Sequence, residues 1–295
     1  MRFTILILLL VCFSCKNENE KKIINVLGNS DKDLIKTFAN NLYISINNYE
    51  YELIRSSWDN ELFRKRVNKL TKTEQTVFDY YFDKEFATVI LNENIDLVNK
   101  LKFNTGKLFF SKITYYPTHA EIIYSLRFAK NVDFWKYRVE LINNIPKLTD
   151  YYSFRDEIWQ SQNIINIIRL NSRYTATTKE RQQANRSLME SDKYLLHGDS
   201  LFALQLLYEI PETHLIGNAL SLKRINLAFN LNDTIFASVL IREKEFNKST
   251  YISYLYGYYF YDTIELDKVF YKLEQELGTK NMILDSLKTL NYFWR

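Results

Sequence analysis

The first part of this chain is predicted to be α+β, with helices leading into about four antiparallel strands, followed by an all-α region of helical hairpins. Three observations predict it. Apolar residues recur at helical spacing up to about residue 102, then switch to strand alternation over residues 120 to 128. The helical period returns after Gln160 and carries an internal repeat offset by 34 residues. Glycine and proline are scarce, 6 and 3 in 295 residues, which favours long helices over a loop-rich barrel.

The chain opens with Met1-Arg2 and an uncharged run from Phe3 to Phe13. That run is too short for a permanent membrane span. It matches the apolar core of a secretory signal, with Ser14 as the small residue before a cleavage point. Cys15 comes next, and the arrangement resembles a bacterial lipoprotein signal. The resemblance implies that residues 1-14 are removed and that Cys15 becomes the lipidated first residue. Cys12 and Phe13 depart from the pattern, which more often has Leu and a small residue there. An ordinary secretory signal with an incidental cysteine is the alternative. Lys16 to Lys22 is charged and polar, and residues 15-29 read as a solvated tether. With the Lys-Asn-Ile-Tyr-Phe bias of the chain, this tether is similar to those of surface or periplasmic lipoproteins of Bacteroidota. The resemblance implies a cell-envelope protein held to a membrane, most often the outer one, by its N-terminal lipid, on either face.

Residues 30-158 form the α+β domain. Leu34, Phe38, Leu42 and Ile46 step by four along a helix that Ser30 or Asp31 could cap. Thr71 to Glu74 with Val77, Tyr80 and Tyr81 mark a second helix, and Leu91, Ile95, Val98 and Leu101 a third. Leu108 to Tyr116 supplies a strand, and Pro117-Thr118-His119 a turn. Ala120, Ile122, Tyr124, Leu126 and Phe128 then alternate with Glu121, Ile123, Ser125 and Arg127, as in a half-buried strand. Trp135, Tyr137, Val139 and Leu141 mark the next, and Leu148 to Phe154 the last. Helices before a curved antiparallel sheet resemble the cone of the nuclear transport factor and ketosteroid isomerase superfamily. The cone implies a pocket. Asp150 shares strand phase with Leu148, Tyr152 and Phe154, so it is the candidate acid there, with Trp135 and Tyr152 lining the wall.

Residues 159-295 are helical. Asp199-Ser200-Leu201-Phe202-Ala203 recurs as Asp233-Thr234-Ile235-Phe236-Ala237, and 34 residues further lies Asp267-Lys268-Val269-Phe270. Asp before Ser or Thr suits a helix N-cap. Asp262-Thr263-Ile264 offers a competing register at a spacing of 29. The repeats resemble tetratricopeptide hairpins, which implies a concave surface that binds a protein or peptide. Tyr254, Tyr258 and Tyr261 share one helical face within the densest aromatic cluster, so they are the candidate contact residues.

Composition excludes several function classes. There are 39 basic and 35 acidic residues, a balance that gives no electrostatic case for nucleic acid. Both cysteines lie in the signal region, Cys12 in the removed segment and Cys15 as the lipidated residue, so the mature domain has no thiolate ligand or nucleophile. His119, His197 and His214 are isolated, and no metal site is expected. With 6 glycines there is no phosphate-binding loop or dinucleotide fingerprint. No cofactor is expected, and no catalytic motif points to an enzyme. The expectation is a lipid-anchored, non-enzymatic protein- or peptide-binding module. The alternative is a small-ligand or proton-transfer pocket in the α+β domain.

Overall fold

A computed structural model describes residues 26–68, 70–128, 131–170, 179–210 and 218–278, with positions 284, 285 and 288. Cys15, the signal and most of the tether lie outside the described residues. The architecture is α+β with a helical C-terminal region.

Helices α1 (Asn29–Asn47), α2 (Glu52–Ser57), α3 (Asn60–Arg66), α4 (Lys72–Tyr81) and α5 (Ala87–Phe103) precede the sheet. On α1 the buried stripe is Ile35, Phe38, Leu42 and Ile46, while Leu34 faces outward. Neither Ser30 nor Asp31 is the N-cap; the Asp31 carboxylate instead reaches back to accept from the Gly28 N–H at 2.8 Å. Thr71 and Glu74 form a reciprocal capping box at the start of α4. The core stripe beyond it is Phe78, Phe82 and Phe86, carried between α4 and α5 by a π-helical stretch at Phe82–Phe86. Val77 and Tyr81 pack at its margin, and Tyr80 is exposed.

The sheet is a five-stranded antiparallel meander in the order β1 (Lys107–Tyr115), β2 (Ala120–Phe128), β3 (Asn131–Ile142), β4 (Ile145–Ser153), β5 (Ile158–Trp159). Asn143 and Asn144, both at positive φ (51° and 62°), make the two-residue turn between β3 and β4, the geometry that matches strand twist. The inner face, with Ile122, Tyr124, Leu126, Tyr137, Val139, Leu148 and Tyr151, buries itself against the helices. Each such side chain contributes about 1.5–3 kcal/mol.

Beyond the sheet lie α6 (Gln160–Leu170), α7 (Lys179–Leu196), α8 (Ser200–Tyr208), α9 (Ala219–Phe229), α10 (Asp233–Phe246), α11 (Thr250–Phe260) and α12 (Thr263–Leu277). They pair as α7 with α8, α9 with α10 and α11 with α12, and successive pairs touch. Side-chain caps fix the register. Asp199 accepts from Phe202 N at 3.0 Å, Asn232 from Ile235 N at 2.9 Å and Asp262 from Glu265 N at 3.0 Å. Asp233 is therefore one residue inside α10, and Asp267 lies well within α12, so the last hairpin follows the shorter spacing. Buried Arg224 ties the hairpins together. Its guanidinium donates to the Leu207 and Ile210 carbonyls and pairs with Glu243 at 3.2 Å, satisfying oxygens at the end of α8.

Helix α12 returns to the sheet. Leu266, Val269, Phe270, Leu273 and Leu277 of α12 pack against Ile123, Phe134 and Phe154 on the outer face. This docking holds the α11–α12 hairpin beside the sheet and opens a cleft.

Candidate functional site

The cleft encloses about 690 Å³ between the sheet domain and the hairpins. One wall is Trp135 and Asp133 on β3, Ser153 on β4, the Arg155–Asp156 turn, and Leu97 and Lys100 on α5. The other is Leu222, Ile225, Asn226 and Phe229 on α9, Phe236 on α10, and Tyr251, Tyr254, Leu255, Tyr258 and Tyr259 on α11. The lining is mostly apolar and aromatic with a few polar groups, the composition expected of a binding pocket.

The sheet-side wall is braced from behind. Trp135 lies flat on Tyr151, ring centroids 5.1 Å apart and 3° from parallel. The Tyr151 hydroxyl donates to Glu93, which also accepts from Gln160 Nε2 at 2.9 Å. Trp135 Nε1 donates to Asp133 Oδ2 at 2.9 Å. The other Asp133 oxygen takes the backbone N–H groups of Phe134 and Arg155, at 2.8 and 3.2 Å. Ser153 Oγ is 3.4 Å from Oδ2. Burial pushes the Asp133 carboxyl up to about 6 despite these donors. Burial also raises Glu93 and Asp156.

On the hairpin side, Tyr251, Tyr254 and Tyr258 form a ladder with centroids 6.4 and 6.1 Å apart. They lie at steps of three and four on α11, which places their rings on one face. Phe154 meets Tyr251 edge to face at 5.5 Å, linking the ladder to the sheet. Phe229, Phe236 and Tyr259 continue the wall through edge contacts of 5.4 and 4.8 Å.

The structure thus joins residues that the sequence assigns to separate sites. Trp135, expected in a pocket, and Tyr254 and Tyr258, expected on a partner-binding face, line one cleft. Tyr261 does not. It ends α11 in the left-handed conformation at φ 54° and is 67% exposed, outside the cleft. Tyr152 lines neither this cleft nor the pocket of Asp150; its ring sits under Lys136 Nζ at 4.7 Å and against Trp159.

Asp150 is displaced by a β-bulge. Arg138 pairs with Asp150 but Val139 pairs with Leu148, leaving Thr149 as the extra residue. Leu148 and Tyr151, three apart, both enter the inner core. Asp150 consequently shares the outer face with its partner Arg138 instead of the phase of Leu148. Its carboxyl accepts from Ser161 Oγ at 2.6 Å, Ser161 N at 3.2 Å and Tyr151 N at 2.9 Å. Burial raises it to about 6. Simple alternation has no means of finding the bulge. Asp133 and Asp156, the cleft's two acids, give no sequence signal either, because carboxylates at the start of a strand and in a turn are ordinary solvated residues by pattern.

Among the described residues no group of acidic, histidine or cysteine side chains could hold a metal ion, and no helix is long and apolar enough to cross a membrane. No family model matches the chain, and no curated protein does. Among solved structures, a phospholipid-binding protein from Ralstonia solanacearum in complex with a phospholipid aligns over 60% of this chain and 96% of its own, at 12% identity and a TM-score of 0.28. A likeness of that size carries no weight for fold or for ligand.

Proposed function

We propose that this is a lipid-anchored cell-envelope protein, tethered through Cys15, that binds an apolar or aromatic segment of a protein or peptide in the cleft between its sheet and its helical hairpins. The observation that carries the reading is the convergence of Trp135, Phe236, Tyr254 and Tyr258 on one open cavity. Tyrosine and tryptophan give large, stiff contact area with a polar tip, as binding anchors do. The hairpins have the tetratricopeptide-like character that suits such capture.

Binding is favoured over proton transfer. Both oxygens of Asp133 are occupied by donors that fix Trp135 and the Arg155 turn, so this carboxylate acts as a brace. Asp150, the acid of the alternative reading, lies outside the cleft.

Two measurements test the proposal. Intact-mass analysis of membrane fractions should find a lipid-sized increase on a chain starting at Cys15, lost in Cys15→Ala. Extended peptides carrying Leu, Phe or Trp should quench or shift tryptophan emission on titration. Tyr258→Ala should weaken that binding about tenfold, the effect of losing one anchor worth more than about 1 kcal/mol, while Tyr261→Ala leaves it unchanged. Equal losses in the two variants, or no binding by any peptide, would reject the cleft as the site.

A further inference from the structure

On the outer face of the sheet, away from the cleft, a second pocket of about 430 Å³ opens between α3, the β2–β3–β4 strands and the start of α6. Cross-strand pairing lines up Glu121, Arg138 and Asp150 in one row. Arg66, at the end of α3, comes in beside them. The side chains of Arg66 and Arg138 are only 19% and 25% exposed. Two guanidiniums held this close in a partly dry setting repel each other.

One carboxylate holds both. Glu140 Oε1 pairs with Arg66 Nη2 and accepts from Arg138 Nε at 3.3 Å. Arg66 Nε also donates to Thr149 Oγ1 at 3.2 Å. Asp150, whose oxygens accept from Ser161 and the Tyr151 N–H, forms no direct ion pair with either arginine, though its charge acts on both and that of Glu121 on Arg138. Among the described residues neither Nη of Arg138 has a hydrogen-bond partner. Lys65 adds a third cation at the rim. The field is felt nearby: burial, then Arg138 and Arg66, hold His119 down to about 4.

We propose that this pocket binds a small organic anion through a carboxylate or phosphate seated on Arg138 and Arg66. A fork of unpaired guanidinium N–H groups fits such oxyanions with two parallel bonds. The volume leaves room for more than the oxyanion alone. Trp159 offers a flat apolar surface, Asn68, Ser161 and Gln162 add neutral polar groups, and Glu121 on the opposite side offers a carboxylate that accepts from hydroxyls, so the body of the ligand is compact and hydroxylated. This site stands apart from the cleft and does not depend on it.

The test is calorimetric titration of the full chain with four probes: glucuronate, glucose 6-phosphate, inorganic phosphate and glucose. One or both sugar anions should bind saturably, more tightly than phosphate, with glucose showing no heat. Preference between the two identifies a carboxylate or a phosphate as the recognised group. Arg138→Gln should weaken the preferred anion at least tenfold and leave peptide binding in the cleft intact, with Arg138→Lys recovering part of the loss. Should Arg138→Gln fail to fold, exposed Lys65→Gln serves instead, with a two- to threefold loss expected. Absence of binding by any anion, equal binding of glucose, or full affinity in a folded variant would overturn the proposal.

Discussion

At the residue scale, Asp133 shows how a carboxylate can brace a wall and leave a pH signature. Its folded value of about 6 lies above the ordinary 3.8, so between those values the native state binds more protons than the unfolded state. Stability carried by this group therefore rises as pH falls from about 7 toward 4, opposite to the usual acid destabilisation. His119 opposes it, since a folded value near 4 against 6.5 loses stability over the same interval. A single-site comparison separates the two. The stability advantage of wild type over Asp133→Asn should grow between pH 7 and pH 5 in thermal or urea unfolding; a constant difference would show that the carboxyl is not strained by burial. The same scale marks where sequence reading stops. Tyr254 and Tyr258 stand out because aromatic density is visible in a string, whereas Trp135 is expected in the pocket of Asp150 and lies instead in the cleft. Asp150 is misplaced because one extra residue, Thr149, reverses the face of the strand beyond it, and no residue type announces a bulge.

At the element scale, the helices and the meander are readable from periodicity, and the repeat announces the hairpins. The caps at Asp199, Asn232 and Asp262 are only partly readable, because Asn and Asp cap equally well and stand side by side at positions 232 and 233. A tight approach within the α11–α12 hairpin rests on Gly257. A Cβ there would lie 2.8 Å from Leu266 Cγ and 3.3 Å from the Asp262 carbonyl oxygen. Alanine would gain about 1 kcal/mol of helix propensity. Overpacking against a buried leucine and a backbone oxygen costs about 1–3 kcal/mol, so the clash should win. Gly257→Ala is expected to lower the unfolding midpoint and weaken cleft binding, because Tyr254 and Tyr258 sit on the displaced helix. A raised midpoint would show that the hairpin relaxes freely.

At the scale of the whole molecule, the cleft exists because α12 covers the outer sheet face, a contact between residues distant in sequence that no local pattern encodes. Phe270→Ala, removing a buried ring at the centre of that contact, should cost about 3–5 kcal/mol. Hydrogen exchange should then speed up in α11 and α12 while α1 to α5 keep their protection; uniform acceleration would mean that the two regions unfold as one. Chain order adds a further demand. Ile123, Phe134 and Phe154 are synthesised long before Leu266 to Leu277, so at about 5–20 residues per second the outer face stays bare for on the order of ten seconds. During that interval it is a sticky apolar surface, the one a holding chaperone would grasp.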